Sequence, residues 1–247
     1  MENEKYIPIF TDLTDWNIKI YQNTGGTRSK TIVSKQNDET EYFFKGSKVI
    51  PETKEIRYPL EFWSEIASSK IGQALGFRML DYNIGYNSYG TQKLGCLSKS
   101  MIDNSANELT EGVTYLLGKN PNYNPARNKK MYTFQFIEET LKHFRLDNLI
   151  TDLIYTIVFD VIISNSDRHQ ENWGVITDFK HFEREMDEAI STEKNDKISN
   201  FFLSIAKGAK KWIDAQMPDI EKYNPKRALK LKTDMNENYF APIYDSG

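Results

Sequence analysis

The hydrophobic period of this chain changes once, and that change limits the possible folds more than any other feature. Up to about residue 102 the apolar residues come in short alternating or β-rich runs, "WNIKIYQ", "KTIVSK" and "TEYFFKGS". Such runs read as strands. From Phe134 onward they recur at intervals of three and four. Phe134, Ile137, Leu141 and Phe144 line one helix; Leu149, Leu153, Ile157 and Val161 line a second, broadened by Ile150, Ile154, Val158 and Ile162. A period of two followed by a period of 3.6 predicts an α+β chain. Its β-rich part spans 1–102 and its mainly helical part 103–247.

Within the first part, "NTGGTRS" predicts a hairpin turn between the first two runs, and Tyr89-Gly90 predicts a second one inside "YNIGYNSYGTQKLGCLSKSMI". Between the hairpins, "LEFWSEIASSKIGQALGF" predicts a helix. Phe62 and Ile66, with Trp63, Ala67, Ile71 and Ala74, form its apolar stripe; Pro59 stands ahead of it and Gly76 can cap its end. The expected order is β-β-β-α-β-β. The Asn- and Pro-containing stretch from Asp103 to Lys130 predicts loop, with one short helix at Val113 to Leu117. Asp147 is the expected N-cap of the helix that delivers the chain to Asn165. "WGVIT" predicts a strand. A charged segment from Asp178 to Asn236 carries a helix with a stripe through Phe201, Ile205, Ala209, Trp212 and Ile213.

Composition removes several classes of function. Net charge is only −3, so there is no general basic field for bulk binding to nucleic acid or anionic membrane. Cys96 is the single cysteine, which excludes an internal disulfide framework and a cysteine-based zinc site. The longest apolar run, Leu149 to Ile163, is broken by Asp152, Tyr155, Thr156 and Asp160 and is too short and polar to span a bilayer. The N-terminal "MENEKYIPIF" has no apolar run of the kind a cleavable signal carries. A cytoplasmic location is expected, with secretion or translocation as an effector left open.

The chemistry concentrates in "NSDRHQENWGVI". Asp167 and Asn172 have the Asp-x-x-x-x-Asn spacing of a phosphoryl-transfer loop: a carboxylate beside an acceptor hydroxyl, then a carboxamide oxygen for a hard cation. Asp245, in "APIYDSG", is followed two residues later by Gly247 and offers a second metal ligand or, alternatively, a turn. Lys45 ends the strand-like "YFFK", and Glu65 lies on the following helix, an order suited to a phosphate-contacting lysine with a carboxylate partner. Gly25 and Gly26 would let backbone approach phosphates, with Thr27, Ser29 and Lys30 as donors; "NTGGTRSKT" has neither a G-x-G-x-x-G nor a Walker pattern and is otherwise a plain hairpin turn. His169 forms no metal spacing with His143 or His181; it can brace the loop, orient Asp167, or act as a base.

These strings together resemble the HipA-like serine/threonine kinases, in particular compact members without a long N-terminal extension. "FDVIISNSDRHQENWGVI" and "APIYDSG" carry the resemblance, supported by "EYFFKGSK" and "EFWSEIASSKIGQALGF", over about Thr24 to Gly247. It implies a divergent two-lobe protein-kinase-like fold, ATP and Mg²⁺ as cofactors, and transfer of the γ-phosphate to a protein Ser or Thr and to the kinase itself. It implies Asp167 as the catalytic aspartate, Asn172 and Asp245 as Mg²⁺ ligands, Lys45 on the phosphates with Glu65 as partner, and Ser98 to Met101, including Lys99, as a hinge contacting adenine through its backbone. A bacterial toxin or effector context follows. Two departures stand out. The segment between Thr177 and Tyr239 is longer than usual and has the character of an insertion, and the chain ends at Gly247 where relatives continue with helices. The expectation is therefore a truncated or split chain, with an antitoxin or complementary chain as partner. A kinase-like scaffold without activity, or a phosphoinositide-type lipid kinase using Lys129, Lys130, Lys207, Lys210 and Lys211, are the alternatives.

Overall fold

Six short strands pair into the sheet that frames the first half of the chain. In a computed structural model, residues 10–19, 30–50, 52–53, 55–88, 93–103, 105–181, 184–185, 188 and 197–246 are described. The strands are β1 (Phe10–Asp12), β2 (Asn17–Lys19), β3 (Lys30–Ser34), β4 (Tyr42–Lys45), β7 (Tyr82–Tyr86) and β8 (Leu94–Lys99), in the order β1-β7-β8-β4-β3-β2. The β1–β7 pair is parallel and the rest are antiparallel. The two expected hairpins therefore form, though both turns lie outside the described residues. β1 and the small hairpin β5 (Lys48–Val49) with β6 (Ile56–Arg57) were not expected. They are too short to show an alternating pattern.

Register sorts the sheet into two faces. Tyr42 pairs with Lys99, Phe44 with Leu97 and Lys45 with Cys96. Side chains alternate along a strand, so Phe44 and Leu97 share one face, where they pack with Leu13 and Val33. Lys45 and Cys96 share the other, where Cys96 packs with Phe62, Ile66 and Tyr82. Helix α1 (Glu61–Ala74) covers this second face. Gly76 ends it as expected. At φ 83 it adopts the left-handed conformation, its N–H donates to Gln73 O (3.1 Å), and Phe77 N–H donates to Gly72 O (2.9 Å).

The buried stripe of α1 differs from the expected one. Trp63 and Ile71 are 42% and 46% exposed and Ala67 is exposed too, whereas Glu65, Ser68, Ser69 and Gly72 are buried beside Phe62 and Ile66. The reason is polar pairing. Ser69 Oγ donates to Leu80 O (2.8 Å) and accepts from Tyr82 N–H (3.2 Å), and Glu65 meets Lys45. Helical period locates a stripe of apolar residues but cannot see that a polar stripe has partners waiting on a strand.

Two compact units emerge. The first joins residues 1–101 to 156–168 and 242–247; the second holds 102–155 and 169–241. The second unit has a three-stranded antiparallel sheet, in order β11 (Glu237–Phe240), β10 (Gly174–Asp178), β9 (Asn107–Glu111). β9 corrects the loop expected from Asp103 to Lys130: "NELTE" is polar yet pairs with buried β10. The short helix does form, as α2 (Gly112–Lys119). Its partners are α3 (Phe134–His143) and α6 (Pro225–Met235), and α6 in turn packs on α5 (Lys197–Tyr223). One apolar cluster joins Tyr115, Leu116, Ile137, Leu141, Phe144, Trp173, Val175 and Phe240.

Helix α4 (Ile150–Ile162) carries the chain from the second unit into the first. Leu149 and Leu153 are buried as expected, but Ile157 and Val161 are 37% and 75% exposed, and Thr156, Phe159 and Asp160 are buried instead. Asp160 turns inward to meet an arginine, and Phe159 to meet Phe77 (ring centroids 5.1 Å). Asp147 is not an N-cap: it opens a 3₁₀ turn, Asp147–Leu149, behind buried Leu146. The stripe expected on α5 is also overturned, with Ile205 and Trp212 51% and 67% exposed and Lys210 and Met217 buried. Lys210 reaches Asp214 at 2.6 Å, which lets its stem lie inside while its charge is paired. Among the described residues, no helix is long and apolar enough to cross a membrane.

Candidate functional site: a lysine shared by two carboxylates

Lys45 closes β4 with its side chain on the α1 face. Its ammonium donates to Glu65 Oε1 at 2.5 Å and also to Asp245 Oδ1, so residues twenty and two hundred positions away meet at one cation. Lys45 and Glu65 are 6% and 1% exposed. Asp245 keeps 27% of its side chain accessible, so this carboxylate is the part of the cluster open to a ligand. Burial lowers the pKa of Lys45, but the charges of Glu65 and Asp245 outweigh it and hold the ammonium above its ordinary value. Burial raises the Glu65 carboxyl; Lys45 pulls it down, and the nearby charge of Asp245 pushes it up again. Two carboxylates sharing one ammonium leave an excess negative charge in a buried place. Beside them, burial pushes the Cys96 thiol up to about 12, with Glu65 adding to the effect, so it is a packed neutral group.

The Asp245-Ser246 dipeptide is fixed from several sides. Asp245 has a left-handed backbone, φ 52. Ser246 N–H donates to Glu65 Oε2 (3.1 Å), and Ser68 Oγ donates to Ser246 O (3.1 Å). A parallel bridge joins Ile243 to Met79, with Ile243 N–H on Arg78 O (2.8 Å) and Leu80 N–H on Ile243 O (2.9 Å). Arg168 donates to Tyr244 O at 2.5 Å and to Ser246 Oγ at 2.7 Å. Arg168, Asp160, Ser68 and Ser246 lie inside the strings that carry the resemblance, but nothing in those strings assigns any of them a role.

The remaining expected residues are placed as follows. Asp167 lies in the first unit, exposed, with its N–H on Asn165 Oδ1 (3.0 Å); Asn165 in turn donates to Asp160 Oδ1 (2.9 Å). His169 and Asn172 belong to the second unit. His169 Nδ1 accepts from Glu171 N–H (3.3 Å) and its carbonyl accepts from Asn172 N–H (3.0 Å). Asn172 is 6% exposed. Lys99 projects from the sheet face opposite Lys45 and is exposed, so only its backbone is available for a hinge role; Met101 ends the first unit. Gly25, Gly26, Thr27 and Ser29 lie outside the described residues, as does Gly247.

Among the described residues, no three His, Cys, Asp or Glu side chains gather into a metal cage. Within the first unit, Asp245 offers a partly accessible carboxylate, a hard oxygen ligand of the kind that suits Mg²⁺, which is commonly held by one or two carboxylates together with substrate phosphates and water.

No family model matches the chain, and no curated protein matches it in sequence. Among solved structures, it is similar to a Helicobacter pylori proinflammatory kinase, CtkA, at 18% identity and a TM-score of 0.49. The match covers 68% of this chain and 55% of that one, so the chain spans about half the length of the kinase it matches.

Proposed function

We propose that this chain is a HipA-like protein kinase that binds ATP with Mg²⁺ and transfers the γ-phosphoryl group to a Ser or Thr hydroxyl, on a partner protein and on itself. The observation that carries the proposal is the junction at Lys45, where a strand lysine contacts both a helix glutamate and the aspartate of "YDSG". Phosphoryl transfer asks a protein mainly for position and charge, and these groups supply both. Lys45, kept protonated by its two carboxylates, contacts the non-reacting phosphates. Asp245 is the residue of the first unit that would hold the metal, whose charge would neutralise that of the phosphates. Glu65 keeps Lys45 in place. Asp167, exposed at the end of its loop, orients the acceptor hydroxyl and takes its proton as the hydroxyl oxygen bonds to phosphorus and the bond to the leaving ADP breaks. A toxin or effector acting in the cytoplasm, with an antitoxin as partner, fits the same reading.

Incubation with γ-labelled ATP and Mg²⁺ tests it. The wild-type chain should label itself or a Ser/Thr-rich protein. Asp167→Asn should lose about 10²- to 10⁴-fold in transfer while still binding nucleotide. Nucleotide binding without transfer in the wild type would replace the kinase reading with that of a scaffold, and labelling of phosphoinositide alone would make it a lipid kinase.

A further inference from the structure

We infer that Arg168 is the positioning residue for the Asp245 carboxylate, acting through the backbone on both sides of it, an inference that rests on the kinase reading of Asp245 as a metal ligand. Arg168 uses all three of its guanidinium nitrogens. Nε and Nη2 grip the Asp160 carboxylate at 2.9 and 2.7 Å. Nη1 donates to Tyr244 O at 2.5 Å and Nη2 to Ser246 Oγ at 2.7 Å. The residues on either side of Asp245 are thus tied to one rigid, planar group.

The grip has a purpose that packing alone does not supply. A non-glycine residue in the left-handed region is strained and persists only where its surroundings hold it. Asp245, at φ 52, is such a residue, and its flanking positions are the ones Arg168 bonds. Asp160 is buried and Arg168 partly so, with side chains 8% and 10% exposed. Asp160 shares an oxygen with Asn165, two residues before Asp167. One buried ion pair therefore sets the course of the loop that carries Asp167 and also the backbone that aims Asp245. Lysine could not replace it: a point charge on a flexible stem cannot span a carboxylate, a carbonyl and a hydroxyl in fixed directions.

Arg168→Lys separates this role from a merely structural one. Outer partners of metal ligands typically cost 10- to 100-fold in metal affinity when lost. Titrating Mg²⁺ into the protein with ADP, followed by calorimetry, should show Arg168→Lys needing about 10- to 100-fold more Mg²⁺ for the same nucleotide affinity, with metal-free ADP binding unchanged. Ser246→Ala, which removes one of Arg168's contacts and a long bond to Tyr244 O (3.5 Å), should shift the same curve in the same direction by less, and covers the case in which Arg168→Lys does not fold. Wild-type Mg²⁺ dependence with an unshifted curve in whichever variant folds overturns the role of Arg168 and leaves the kinase reading standing. A wild-type chain that binds ADP with no Mg²⁺ dependence overturns the reading of Asp245 and this inference with it.

Discussion

The two units have interiors of opposite character. The second is organised around one apolar cluster, in which Trp173 stacks on Phe240 with ring centroids 5.9 Å apart and planes 3° from parallel. The first has two small apolar clusters, one on each face of its sheet, and also buries Lys45, Glu65, Asp160 and the side chains of Ser68, Ser69 and Ser246. Apolar packing is the more economical way to stabilise a fold. Buried ion pairs seldom beat hydrophobic substitutes of equal volume. The second unit buries Lys210 and Asp178 singly, whereas in the first Lys45 meets two carboxylates at one point; such a cluster is organised for something besides stability, and perturbed carboxylates and lysines there mark a candidate active site.

Matched substitutions should separate the two interiors. Lys45→Met leaves Glu65 and Asp245 facing each other without their cation and should destabilise by about 3–5 kcal/mol. Adding Glu65→Gln should recover a large part of that loss, which urea denaturation of the single and double variants would measure. Trp173→Ala should also cost about 3–5 kcal/mol. Changing a polar neighbour should not rescue it, since the loss there is cavity and transfer energy. If the Lys45 variant proved as stable as wild type, the contrast between the units would fail.

The pH dependence sharpens the contrast with a smaller effect. The pKa of Lys45 is raised in the fold, so its contribution is fully present below its ordinary value of 10.5 and is lost as pH rises beyond it. Alkaline titration should weaken the wild type more than Lys45→Met over that window, and Trp173→Ala should follow the wild type. The smallest effect expected is at Gly76. Its left-handed φ of 83 carries the end of α1, and although a Cβ there would meet nothing within 4 Å, Gly76→Ala should cost about 1 kcal/mol through backbone strain. Thermal denaturation would register it, and an unchanged midpoint would argue against strain at that turn.

What could be read from the sequence follows from how far each residue's partners lie. The hairpins, α1 with its glycine end, α3 and β10 rest on local pattern and were legible. So were Lys45, Glu65 and Asp245 as residue types in a telling order. The buried faces were not. Ser68, Ser69 and Glu65 displaced Trp63 and Ile71 from the inner side of α1 because their partners lie on other segments, and Asp160 displaced Val161 on α4 to meet Asn165 and Arg168 in the loop beyond the helix, pairings that no helical period reveals. Arg168 was missed for the same reason: its value lies in Tyr244 and Ser246, more than seventy residues along the chain. β9 was missed because a polar strand can sit at the edge of a small sheet when its neighbour supplies the apolar side.

The central claim is that the charged interior of the first unit receives a nucleotide and a divalent cation. Calorimetric titration with ATP, with and without Mg²⁺, tests it most directly when the wild type is set beside Asp245→Asn. The account predicts that Mg²⁺ tightens ATP binding to the wild type and that Asp245→Asn loses most of that gain. A wild type that binds no ATP, or an Asp245→Asn variant that keeps the full benefit of Mg²⁺, would contradict it.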